Sequence, residues 1–457
     1  MSVPGSRLVN ELALPPPVHL RLWQWSVRIL RGERPLLAIF RSFGAQALIL
    51  AMNVTTGIVT ARMLGPAGRG IYVAVTLWPP VLSTLAMAGL GSAVIFRLRR
   101  CPENVGSIAG AALLLGALSS MGVTAIGSAL LPAFMTRYAA PTVLFAQVCL
   151  VNVWINSSQA VIKQTFAGTG RYWYCNLTHL LPQLFHLSAL LAIVIFATLT
   201  PRKAAMALLL SSGAAVLVML PRFMRVARPR LRGSLLELRQ LTSYSARAAT
   251  TDVVFTLATY SDRLVLIPLL SASELGFYAV AFSFSRVIQF VQPAVVSVFF
   301  SHLSAQSDAE ASRLHDYAYR FLAACLVAGC GIFWLAGPFL LGLAYGPEFT
   351  AANTIFQLLV IEASLGVLSQ VTVQLFLSRN RPGIVSAIQA AVLCCSVAAL
   401  LLLVPRYGAV GAALSLLGAG TVRWLLLLGA MKGILRLPLP RLYPSRGDFQ
   451  YVLGRLH

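Results

Sequence analysis

Residues 106–134 read GSIAGAALLLGALSSMGVTAIGSALLPAF, a run without a single charged residue. About 20 mostly apolar residues in a helix cross the hydrocarbon core of a bilayer, and this run is longer than that. It has none of the alternating, turn-punctuated pattern of an outer-membrane barrel strand. In lipid the backbone polar groups must be satisfied within the segment, which leaves the α-helix. The rest of the chain agrees with this reading. Of 457 residues, 58% are hydrophobic and 11% charged, where a soluble domain carries about 25% charged residues.

Outward from this run, spans are expected near 38–63, 71–96, 106–134, 141–167, 173–199, 204–220, 243–270, 275–300, 317–343, 354–377, 384–404 and 408–430. The fold class is therefore an all-α integral membrane protein with about twelve transmembrane helices. With both termini inside, 26 Lys and Arg fall on cytoplasmic segments and 6 outside, the asymmetry expected of inward-facing basic loops. Most of the net charge of +23 is this bias. It favours anionic lipid headgroups and needs no nucleic acid. Pro15, Pro16 and Pro17 interrupt the N-terminal region, which reads as uncleaved. Residues 18–34, with Trp23, Trp25, Arg21, Arg28 and Arg31, suit an amphipathic helix in the headgroup layer or a cytoplasmic tail. Six of the seven cysteines lie in apolar runs, and none has metal-ligand or redox spacing. No P-loop, Gly-x-Ser-x-Gly or His-Glu-x-x-His occurs, so neither enzyme chemistry nor a cofactor or metal is expected.

Leu64-Gly65-Pro66-Ala67-Gly68-Arg69-Gly70-Ile71-Tyr72 recurs as Leu270-Ser271-Ala272-Ser273-Glu274-Leu275-Gly276-Phe277-Tyr278, at an offset of 206. The same offset places Arg41 on Arg247 and Gln46 on Asp252. Gln164-Thr165-Phe166 with Arg171 matches Gln374-Leu375-Phe376 with Arg381 at an offset of 210. Six spans per half is an even number, so the repeat is parallel, with its axis along the membrane normal. The expected organisation is a basic N-terminal segment (1–37), an N-lobe (38–220), a cytoplasmic linker (221–240), a C-lobe (241–434) and a cytoplasmic tail (435–457). Two such lobes around a central cavity suit a transporter in which one rocks against the other.

Three segments carry a resemblance. They are Ala61-Arg62-Met63-Leu64-Gly65-Pro66-Ala67-Gly68-Arg69-Gly70-Ile71-Tyr72, then Asp262-Arg263-Leu264-Val265-Leu266 leading to Glu274-Leu275-Gly276-Phe277-Tyr278, and Tyr345-Gly346-Pro347-Glu348-Phe349. In order and spacing they resemble the multidrug/oligosaccharidyl-lipid/polysaccharide exporter superfamily, and within it the polysaccharide flippases. The resemblance covers about residues 40 to 435. It implies a MATE-like fold in a bacterial inner membrane and a lipid-linked oligosaccharide as substrate. A polysaccharide polymerase and glycosyltransferases are the implied partners. The alternatives are a cation-coupled multidrug antiporter of the same superfamily and a non-transporting membrane scaffold. Related flippases of lipid-linked peptidoglycan precursors usually have fourteen spans.

Charges inside spans are costly and mark function. Arg286 lies deep in the eighth expected span beside Ser285, Gln289 and Gln292, a polar stripe at helical spacing, with Pro293 as a kink. It is a candidate substrate contact, or the partner of Asp252 or Asp262. Arg41 and Arg247 open the first helix of each half. Their guanidinium forks match pyrophosphate oxygens, although inside anchoring also accounts for them. Arg263 beside Asp262 reads first as a local pair. Asp252 and Glu362 are candidates for a coupling proton or ion, with Asp252 favoured as the partner of Arg286. Lys163 and Arg423 are expected to snorkel to the inner face. The substrate set is thus Arg286, Arg41, Arg247, Arg263 and Gln289, against Asp252, Asp262 and Glu362. A basic cavity suits an anionic polyprenyl-pyrophosphate head.

Overall fold

The computed structural model describes residues 33–230, 234–291, 308–379 and 381–435, with 437, 438 and 440. All regular structure among them is helical. The chain divides into two compact units, Met1–Ala51 and Met52–His457. The described part of the first is the opening of a long helix, α1 (Glu33–Thr76). The N-terminal stretch 1–32, most of the C-terminal tail, and Gln292 and Pro293 lie outside the described residues.

In the second unit, Gly65 breaks α1 with φ 64 and ψ 179, a conformation that a Cβ would strain. Pro66 follows and cannot donate to the preceding turn. The second expected span, 71–96, is not one helix. It is divided among the end of α1, α2 (Trp78–Ala86) and α3 (Leu90–Arg100). Pro79 and Pro80 lack the amide donors a continuous helix needs, but they fit the first turn of a new one.

Next come α4 (Val105–Phe134), α5 (Ala140–Cys149), α6 (Val151–Gly168), α7 (Tyr172–Phe196) and α8 (Pro201–Ala227). α8 continues beyond Leu220, where the linker was expected to start, so Arg222 and Arg225 are helical. α9 (Ser234–Leu269) follows, then α10 (Ala272–Ser285), which opens on a capping box between Ser271 and Glu274. At Arg286 the chain tightens into a 3-10 segment, Arg286–Val291. The remaining helices are α11 (Asp308–Tyr345), α12 (Asn353–Ser378) and α13 (Pro382–Gly433).

The 52 residues of α13 would make a straight rod of about 78 Å, far beyond a bilayer core of about 30 Å. Gly408, at φ 55, breaks it. A Cβ on Gly411 would strike the Leu403 carbonyl, so the chain folds back on itself there. Among the described residues, counting merged runs once, eight helical stretches are long and apolar enough to cross a membrane. α9 is not among them. It carries Glu237, Arg239, Arg247, Asp252, Asp262 and Arg263 within its length.

α9 packs against α2, α3 and α4 as well as α13, so it touches both halves of the chain. Its N-terminal part is tied to α3 by a bidentate ion pair, Arg97–Glu237, at 2.8–3.0 Å. Phe96 stacks on Tyr244 with centroids 4.9 Å apart. A single apolar core joins the halves at the opposite end, running through Tyr72, Trp78 and Leu131 to Leu266, Tyr278, Phe349 and Val404. There the repeat-related glycines approach each other. A Cβ on Gly70 would strike the Ala272 carbonyl, and a Cβ on Gly276 would strike the Pro66 carbonyl. Pro66 and Ala272 are themselves 206 apart, so the contact is reciprocal, as in an interface across a two-fold axis.

Candidate functional site

α9, α10, α12 and α13 line a cavity of about 430 Å³. Among the described residues its lining lies between Phe255 and Arg423, in the second half of the chain.

Its charges are arranged by the local structure. Arg286 stands where α10 gives way to the 3-10 turn. Its Nη2 lies 2.8 Å from Glu362 Oε2, on α12. The expected partnerships of Arg286 with Asp252 or Asp262 are not formed. Asp252 accepts a hydrogen bond from the Gly89 amide at 2.8 Å and stays outside the cavity. Asp262 is buried and accepts from the Tyr278 hydroxyl at 2.7 Å. Arg263 Nε is 3.7 Å from the same carboxylate. The ring of Phe282 lies 4.2 Å from the Arg286 guanidinium and 4.5 Å from that of Arg263. One aromatic face system therefore holds two like charges, each gaining cation–π attraction. Gln289 donates to the Ala363 carbonyl at 3.4 Å and also lines the cavity.

Arg423 lines the same cavity from α13. It was expected to snorkel to the inner face. Instead it belongs with Arg286 and Glu362, because the fold-back at Gly408 turns its part of α13 toward α12. The signal was its place well inside an apolar run, the same depth argument that singled out Arg286. Three arginines thus meet two carboxylates, and the cavity carries excess positive charge.

Arg247 is exposed and donates from Nε to the Ser243 carbonyl of its own helix at 3.2 Å. It does not line the cavity. The Arg41 side chain, like that of Gln46, lies outside the described residues.

A second cavity of about 280 Å³ lies where α1, α9 and α10 meet. Arg263 and Phe282 border both cavities. Its other walls include Tyr72, Tyr260 and Tyr278 and one further cation, Arg69. Arg69, in the connection between the first two expected spans, is 8% exposed. It donates to the Thr60 hydroxyl at 2.7 Å.

Comparison with known proteins agrees with this architecture. Residues 59–353 match a family model described as polysaccharide biosynthesis protein. No curated relative matches the chain. Among solved structures, the chain is similar to the lipid II flippase MurJ in an inward closed conformation. They share 12% identity with a TM-score of 0.70, covering 91% of this chain and 90% of that one. It is also similar to an inward-facing multidrug resistance MATE family transporter of the MOP superfamily. Here identity is 14% and the TM-score 0.66, covering 85% and 94%. A MOP superfamily transporter from Pyrococcus furiosus follows at 16% identity and a TM-score of 0.58, covering 88% and 95%. At these identities the likeness is one of fold.

Proposed function

This chain is a multi-pass membrane protein that belongs to the polysaccharide biosynthesis protein family, and from that premise we propose that it moves an anionic polyprenyl-pyrophosphate-linked oligosaccharide from the inner to the outer leaflet of a bacterial cytoplasmic membrane. The observation that carries this reading is the charge of the larger cavity. Arg263, Arg286 and Arg423 outnumber Asp262 and Glu362, and guanidinium forks suit pyrophosphate oxygens. A cavity for cationic drugs would be expected to lean acidic. The lipid tail stays in the bilayer while the head crosses, by alternating access of an N-lobe (38–220) against a C-lobe (241–434).

Cells lacking the chain, complemented with Arg286→Ala, test the proposal. The expected result is loss of surface polysaccharide with the variant still inserted in the membrane at the normal level. Normal surface polymer in Arg286→Ala and in Arg423→Ala would overturn the assignment. Efflux of cationic dyes that persists in Arg286→Ala would favour a drug antiporter instead.

A further inference from the structure

The second cavity is chemically unlike the first, and its cation is uncompensated. Among the described residues no carboxylate pairs with Arg69, and its Nε has no hydrogen-bond acceptor. Its one polar bond goes to a neutral hydroxyl, and its guanidinium lies 5.3 Å from the Tyr72 ring. A buried charge left in this state is destabilising unless an anion joins it. The walls beside it are aromatic. Tyr72 and Tyr278 are repeat-related, one from each half. The Tyr278 hydroxyl is already taken by Asp262 and its side chain is buried, so it backs the wall from behind. Tyr260 and Phe282 complete the aromatic lining. Flat amphipathic rings beside polar groups in a small cavity are suited to sugar rings, whose faces are apolar and whose edges are polar.

We propose that this second cavity is a saccharide subsite in which Tyr260 and Phe282 stack on a sugar ring and Arg69 takes the carboxylate of an acidic sugar. The assignment rests on the flippase reading, and it divides the head group between two compartments. The pyrophosphate lies among Arg263, Arg286 and Arg423, and the sugar beside Arg69, with Arg263 and Phe282 on the shared wall. Arg69 has no counterpart in the repeat, since Leu275 occupies the matching position. The anion is therefore gripped from one half only.

The full-length purified protein, titrated with three probes and followed by tryptophan fluorescence, tests this. The probes are a glucuronate-containing disaccharide, the corresponding glucose disaccharide and inorganic pyrophosphate. Arg69→Gln should weaken the acidic disaccharide about tenfold or more, the scale of one charge-assisted hydrogen bond, and leave pyrophosphate unchanged. Tyr260→Ala, at a partly exposed position, should weaken both disaccharides. Arg69→Lys, which keeps the charge without the fork, should fall between wild type and Arg69→Gln and serves if the latter does not fold. Acidic disaccharide binding that ignores both Arg69 variants overturns the proposal. So does pyrophosphate binding that depends on Arg69 and not on Arg286, which would make Arg69 part of the phosphate site. Pyrophosphate binding unaffected by Arg286→Ala would instead count against the flippase site and leave the saccharide result standing.

Discussion

Glu362 is the residue on which the charge of the larger cavity turns. It holds Arg286 at 2.8 Å and shares the cavity with Arg423. Without a ligand this carboxylate is what makes a cluster of guanidinium groups tolerable in a half-buried place. An anionic head must compete with it. Glu362→Gln keeps the shape and hydrogen-bonding capacity but removes the competitor, leaving three arginines against Asp262 alone. Inorganic pyrophosphate should then bind about tenfold more tightly, since one charge at close range in this environment is worth a few kcal/mol before screening. Transport should slow, because a tighter ground state does not speed the crossing. Binding titrations paired with a flipping assay in proteoliposomes measure both. Unchanged pyrophosphate affinity would place the head group outside this cavity.

At the scale of elements, α9 decides how the halves are held. Its N-terminal part is fastened to α3 by the Arg97–Glu237 pair, the Phe96–Tyr244 stack and the Gly89–Asp252 hydrogen bond. Its C-terminal part lines the cavity with α10 and α13. The hydrogen-bonded Glu237 carboxylate raises the Arg97 pKa above its ordinary value, so the guanidinium stays charged. Movement of one half against the other would have to break the pair. Arg97→Glu and Glu237→Arg should each reduce transport several-fold by placing like charges together. The double exchange should recover much of the loss, which is the signature of direct coupling. Surface polysaccharide in the three strains is the readout. A double variant as impaired as either single one would argue that the pair has only a local structural role.

At the scale of the whole molecule, a charged head moved across the bilayer feels the membrane potential. One charge crossing 100 mV changes energy by about 2.3 kcal/mol, and a doubly negative pyrophosphate leaving an inside-negative cell gains roughly twice that. Charged arginines moving through the field would offset part of the gain. Proteoliposomes given a potassium diffusion potential should therefore flip the lipid faster when the donor side is negative, and the rate should fall when the potential is collapsed. A rate indifferent to the potential would mean that the cation-rich half moves with the head and cancels its charge.

The helical membrane fold was legible in the residues alone. A run such as 106–134 has one way to satisfy its backbone in lipid, and Leu64–Tyr72 repeats as Leu270–Tyr278 because duplication leaves the same helix junction in both halves. Depth along a span also singled out Arg286, which lines one cavity with Arg263, Asp262 and Glu362. Their partners were not legible. Charge pairing in a bundle is set by which faces of non-neighbouring helices touch, and no local period encodes that. Glu362 rather than Asp252 holds Arg286 because α12 packs beside α10 there, while Asp252, midway along α9, faces the Gly89 amide. Arg423 and Arg69 became interior cations only when Gly408 folded α13 back and the paired glycines drew α1 onto α10. The sequence determined what each helix is made of. Tertiary packing decided which charges face one another, because those contacts depend on helix rotation and crossing rather than on chain order.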